Sequence, residues 1–142
     1  MSRRIIRIRE LREKALDAAR IALEAAVSQR EAAEAVLESA RAEVVRARDA
    51  LHALDTVTAG DLVVHSAHVD ACQRRAAFAA QGVDRRRGVE AHAREAVNEA
   101  RIKVRQIELW QENVASRERE RAEVEERKLH DALAARSARG NP

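Results

Sequence analysis

His65, His68 and Cys72 stand at i, i+3 and i+7, a spacing that sets three metal-ligating residue types on one face of a helix. A zinc centre of that kind needs a fourth donor, and only Asp61 or the distant His92 offers one. The three read instead as ordinary positions of an alanine-rich helix, so no metal site is expected. Cys72 reads as a small helical residue rather than a nucleophile. The chain has no glycine-rich phosphate loop, no GxSxG, no HExxH and no Ser/His/Asp arrangement. No catalytic residue and no cofactor are expected, and the chain is read as a non-enzyme.

The other chemistry on offer is positive charge. Of 27 basic residues, 24 are arginine, against 24 acidic ones. Arg3, Arg4, Arg7, Arg9, Arg12 and Lys14 outnumber Glu10 and Glu13 at the start of the chain. This end reads either as a contact for an acidic partner surface or as a solubilising helix end. A second cluster, Arg74, Arg75, Arg85, Arg86 and Arg87 against Asp84, carries the charge for phosphate contacts. It lacks interleaved aromatics to stack bases and any helix-turn-helix or RNA-binding signature, so nucleic acid is not expected as a partner. Trp110 reads as a packing residue. Phe78 has less obvious burial and is the better candidate for an exposed contact.

These residues must be positioned by helices. The chain has 142 residues, of which 31 are alanine, 36% are charged, four are glycine and one is proline. Trp110 and Phe78 are its aromatics, and it has no tyrosine. That composition excludes a β-sandwich, a β-barrel, a disulfide scaffold and most deep-pocket enzymes. A single cysteine forbids an intramolecular disulfide and points to a reducing cytosol. The first apolar run, Ile5-Ile6, is interrupted by Arg7 and Arg9. No segment reaches the roughly 20 apolar residues of a spanning helix, so no membrane insertion is expected.

Residues 2–54 contain no Gly and no Pro, and their apolar positions repeat every seven residues. One seam reads Leu16, Leu23, Arg30, Leu37, Val44, Leu51; the other reads Ala19, Ala26, Ala33, Ala40, Ala47, Leu54. Large residues on one seam and alanine on the other suit a tight two-helix pair. Arg30 interrupts the large seam. It either pairs with an acid on the opposing helix and fixes the register, or lays its stem along the seam and carries its charge out to water; the second is preferred. Asp55 to Asp61 break the pattern with β-branched residues and Gly60, and Thr58 or Asp61 is suited to cap a new helix.

Residues 61–81 read as a shorter helix, and Gly82 and Gly88 bracket a plausible joint. From Ala93 through Val97, Ala100, Val104, Ile107 and Gln111 to Val114 the apolar stripe returns, then weakens across 116–128, with Leu129, Ala132 and Leu133 beyond. The expected organisation is one all-α unit over 1–142. It comprises helix 2–54, a connector with a short helix over 55–83, helix 84–137 and a disordered tail at 138–142. Two nearly equal arms then form a long antiparallel two-helix coiled-coil hairpin with a short helical connector. A turn at 55–60 that leaves about 24 C-terminal residues overhanging is the alternative, and a parallel self-associating dimer a third.

The opening stretch Ile5-Ile6-Arg7-Ile8-Arg9-Glu10-Leu11-Arg12-Glu13-Lys14-Ala15-Leu16 resembles the start of the FliJ/YscO family, the stalk proteins of flagellar and virulence type III secretion. The basic start and long connector are more similar to the virulence, YscO-type branch. The resemblance implies a cytoplasmic, non-enzymatic central stalk, peripherally associated with the secretion apparatus at the inner membrane. Such a stalk links a hexameric export ATPase to the export gate, promotes ATPase activity and in some members handles export chaperones. It also implies that the end carrying both termini meets the ATPase and the opposite end the gate. On this chain the geometry would give Arg3, Arg4, Arg7, Arg9, Leu129, Leu133 and Arg136 to the ATPase, and Phe78, Arg85, Arg86 and Arg87 to the gate. A generic structural coiled-coil adaptor or stator-like dimer is the rival reading.

Overall fold

The computed structural model describes residues 3–56 and 58–140. It contains two helices, α1 (Arg3–His52, 50 residues) and α2 (Ala59–Arg139, 81 residues), packed as a helical hairpin with no strand among the described residues. The helix α1 closes with the Ala53 amide donating to the Asp49 carbonyl at 3.0 Å. Six residues later the chain starts again under a cap. The Thr58 hydroxyl accepts from the Asp61 amide at 3.2 Å and donates to the Asp61 carboxylate at 2.8 Å, and the Thr58 carbonyl accepts from the Leu62 amide at 3.1 Å. Of the two residues suited to the cap, Thr58 is the one that takes it; Asp61 supports it from the third helical position.

The expected connector does not form. Residues 61–81 are not a separate helix and there is no joint at Gly82 or Gly88, because α2 runs unbroken through both. The reason is a seven-residue period that continues backward from Val97. Glu90, Val83, Ala76 and Val69 hold one seam position, each buried or half-buried; Ala93, Ala79 and Cys72 hold the other and are likewise covered, with the exposed Arg86 between Ala93 and Ala79. A continuous seam outweighs the ~1 kcal/mol helix penalty of each glycine. The arms are therefore unequal, and the arrangement with a turn just before Ala59 and a C-terminal overhang is the one observed. Residues 138 and 139 are helical rather than part of a tail, while 141, 142 and Ser2 lie outside the described residues.

The chain divides into two compact units, Lys14–Ala100 and Met1–Glu13 with Arg101–Pro142. In the first, all the α1 seam positions from Leu16 to Leu51 and from Ala19 to Ala47 are buried or half-buried. Its densest core joins Val44 and Ala47 to Val69 and Cys72, with Leu51 and Ala76 packed against them. Alanine at these contacts lets the two backbones approach closely enough for one thin layer of side chains to exclude water. In the second unit, residues 3–13 of α1 lie against α2, where Val104, Ile107, Gln111 and Val114 are buried or half-buried. From residue 116 to 140 every position is exposed.

Candidate functional site

No catalytic pocket was expected, so the sites of interest are surfaces that a partner could meet. The His65, His68 and Cys72 face does not close around a metal: no group of three or more donor side chains comes together among the described residues. Cys72 is buried and its Sγ lies 3.8 Å from His68 Nε2, while His68 is exposed.

The basic start of α1 is partly committed to the hairpin. Arg9 Nε donates to Glu13 Oε1 at 2.8 Å and its Nη1 to Gln111 Oε1 at 3.2 Å. The Glu13 bond holds the Arg9 pKa above its ordinary value. Arg12 Nη1 donates to the Lys103 carbonyl at 2.6 Å. Arg3, Arg4 and Arg7 are exposed. Leu129, Leu133 and Arg136 are exposed too, but the structure does not bring them beside these arginines. Arg9 is level with Gln111, and Leu129 lies 18 residues farther along α2, about 27 Å at 1.5 Å per residue. Trp110 is not a packing residue as expected. It flanks the seam that passes through Ile107 and Gln111 and is 44% exposed.

The second surface lies within the Lys14–Ala100 unit. An open groove of about 970 Å³ runs between the helices, its floor made of Ala33, Ala40, Ala71, Ala79 and Gly82 and its walls of Val36 and Phe78. Phe78 is 68% exposed, as expected of a contact residue, and the Arg85 guanidinium stands 5.6 Å from its ring centroid. Arg74 and Arg75 also line the groove, with Glu43 accepting from Arg75 at 3.4 Å. The three consecutive arginines have different partners. Arg85 covers Phe78, Arg86 donates to Gln29 Oε1 of α1 at 2.7 Å, and Arg87 donates to Glu34 Oε1 of α1 at 3.2 Å.

Arg87 leads to the less favoured of the two sequence readings of Arg30, a pairing with an acid on the opposing helix. Arg30 does not carry its charge out to water; its Nε donates to Glu90 Oε2 across the seam and its Nη1 to Glu34 Oε2 at 2.8 Å. Glu90 accepts from Arg94 at 2.6 Å on its other oxygen, and its side chain is 9% exposed. Five side chains of alternating sign therefore interlock where the seam would otherwise be apolar. Arg94 and Arg30 hold the Glu90 carboxyl below its ordinary pKa of 4.5 against the opposing effect of desolvation. Arg87 and Arg30 do the same to Glu34. The place of Glu90 on the seam, seven residues before Val97, is legible in the sequence; that Arg30 faces it follows only from the alignment of the two helices.

Two packed helices with exposed flanks are what the geometry provides. The sequence model of the flagellar FliJ protein family matches residues 1–142. The chain belongs to the FliJ family. No curated protein and no solved structure gives a match. FliJ-family proteins are structural components of flagellar and type III export and associate with other parts of the export apparatus, such as its ATPase and gate. No helix of this FliJ-family chain is long and apolar enough to cross a membrane, among the described residues.

Proposed function

We propose that this FliJ-family chain is the central stalk of a type III export apparatus, linking a hexameric export ATPase to the export gate and promoting ATP hydrolysis. The whole-length family match on a two-helix hairpin is the observation that supports it. In this reading the end with Arg3, Arg4, Arg7 and Arg9, together with the bare α2 extension carrying Leu129, Leu133 and Arg136, meets the ATPase. The ATPase-facing charges act by electrostatic steering and the exposed leucines by burial on docking. The gate contact falls to Phe78 and Arg85 at the groove, on the flank of α2 19 residues or about 30 Å from its start at the turn rather than at the turn itself, with Arg86 and Arg87 holding α2 against α1 beneath them. Export chaperones are further partners in this reading, and the protein works in the cytoplasm beside the inner membrane.

The virulence, YscO-type branch is retained on the basic opening stretch alone, since the long connector that also suggested it does not exist. The stalk reading is tested by purifying the chain with the export ATPase encoded beside it and following hydrolysis. Stimulation and co-elution at low salt are expected; neither being seen would overturn the reading. A stable dimer of about twice the 15.8 kDa chain mass, without stimulation, would favour the structural-adaptor alternative. Flagellar rather than virulence genes beside it would overturn the branch assignment only.

A further inference from the structure

From the charged network at mid-seam we infer that Arg30 and Glu90 select the chain's own partner and register, so that α1 closes on α2 of the same molecule in one alignment. The seams themselves do not discriminate. The α1 seam positions within the Lys14–Ala100 unit are all apolar apart from Arg30, so α1 matches a second α1 almost as well as it matches α2. An in-register parallel pair of α1 helices would set Arg30 against Arg30, and a parallel pair of α2 helices would set Glu90 against Glu90, each burying like charges. Sliding the antiparallel pair by one heptad sets Arg30 against Val83 or Val97, and Glu90 against Leu37 or Leu23, so each charge loses its cross-helix partner and keeps only the one on its own helix, Glu34 for Arg30 and Arg94 for Glu90. In the observed alignment both are satisfied, Arg30 by Glu90 and Glu34, Glu90 by Arg30 and Arg94. Glu34 and Arg87 add a second bond between the helices beside them. One polar pair at a seam position is the form in which coiled coils specify register and oligomer state.

The test uses the full chain carrying R30L/E90L, which makes that seam apolar from Leu16 to Leu51 and from Val69 to Val97. Spin labels at A22C and N98C, in a Cys72→Ala background, read the register. Both positions are exposed, one eight residues before Arg30 and the other eight after Glu90, hence level across the pair. Sedimentation equilibrium reads the mass. The parent chain is expected to give one distance and one species of 15.8 kDa. The R30L/E90L variant is expected to keep its far-UV helicity while gaining a second, longer distance population, as the level labels slide apart by about 10 Å along the axis, the rise of one heptad, or a dimer. R30Q/E90Q, which removes both charges but keeps both positions polar, is expected to do the same. A single unchanged distance and an unchanged monomer mass in both variants would overturn the inference. Loss of helicity in R30L/E90L would also overturn it, because the network would then carry stability rather than selection.

Discussion

At the scale of single residues, Glu90 and Glu34 set the response to acid. Both carboxyls are held below their ordinary value of 4.5, Glu90 first by Arg94 and Glu34 first by Arg87. A carboxylate depressed on folding contributes stability that is present above its unfolded pKa and is lost as pH falls through the folded one. The urea midpoint is therefore expected to hold from pH 7 to about 5 and to fall below about pH 4.5. In E34Q/E90Q that fall is expected to be shallower than in the parent chain; equal slopes would show that the two carboxylates do not carry the effect. Phe78 behaves oppositely. Because it is mostly exposed, Phe78→Ala is expected to move the unfolding free energy by no more than about 0.5 kcal/mol. The same substitution is expected to weaken binding to an isolated export-gate domain by tenfold or more, the scale of an aromatic hot spot, readable by calorimetry.

At the scale of the elements, the first helix was legible from its letters and the second only in part. The α1 heptads identify the residues that lie against α2, because a seven-residue period leaves little choice of face. The α2 stripe from Ala93 to Val114 was equally plain, yet the same stripe between Val69 and Glu90 was not. Gly82 and Gly88 made an unbroken helix read as a joint. A charge at a seam position is compatible with a helix when the facing helix answers it, as Arg30 answers Glu90. The site was legible in exposure and not in pairing. Phe78 was found from its isolation, whereas the partners of Arg30, Arg86 and Arg87 depended on an alignment that no local pattern reveals. Trp110 misled because size suggests burial, and position beside the seam decided otherwise.

The continuity of α2 makes its glycines dispensable. A methyl group at Gly88 would meet nothing within 4 Å, so Gly88→Ala is expected to raise stability by roughly 0.5–1 kcal/mol through helix propensity. A decrease in the urea midpoint would mean that the position is used as a hinge after all. At the other end of the same argument, Thr58→Ala removes the cap of α2 and is expected to cost about 1 kcal/mol. Recovery of most of that loss in Thr58→Ser would tie it to the hydroxyl.

At the scale of the whole molecule, the two units differ in what supports them. Lys14–Ala100 holds a buried seam on both helices, while 116–140 has only its own helical hydrogen bonds and side-chain pairs along one helix, such as Lys128 with Glu125 at 2.9 Å. Exposed pairs of that kind contribute a few tenths of a kcal/mol each, too little to hold two dozen residues against fraying. Amide exchange is therefore expected to be fastest in 118–139 and slowest in 69–107. Truncation after Ala115 is expected to leave the urea midpoint of the remainder within about 0.5 kcal/mol of the parent while abolishing ATPase stimulation. A large stability loss would mean that the extension folds against something in the free protein.

The cross-helix contacts also imply an order of assembly. Glu43 and Arg75, near the turn, are separated by 32 residues, Arg30 and Glu90 by 60, and Arg9 and Gln111 by 102. Loop-closure entropy favours the shortest span, so the chain zips from the turn outward. On a ribosome, α1 is complete and unpartnered while α2 is still being made, and its first chance to close comes near Val44, Ala47, Val69 and Cys72. The zipper then reaches Arg30 and Glu90 before it reaches the N-terminus. A misaligned closure meets its penalty there, while the basic end of the chain is still free and the error can still be reversed.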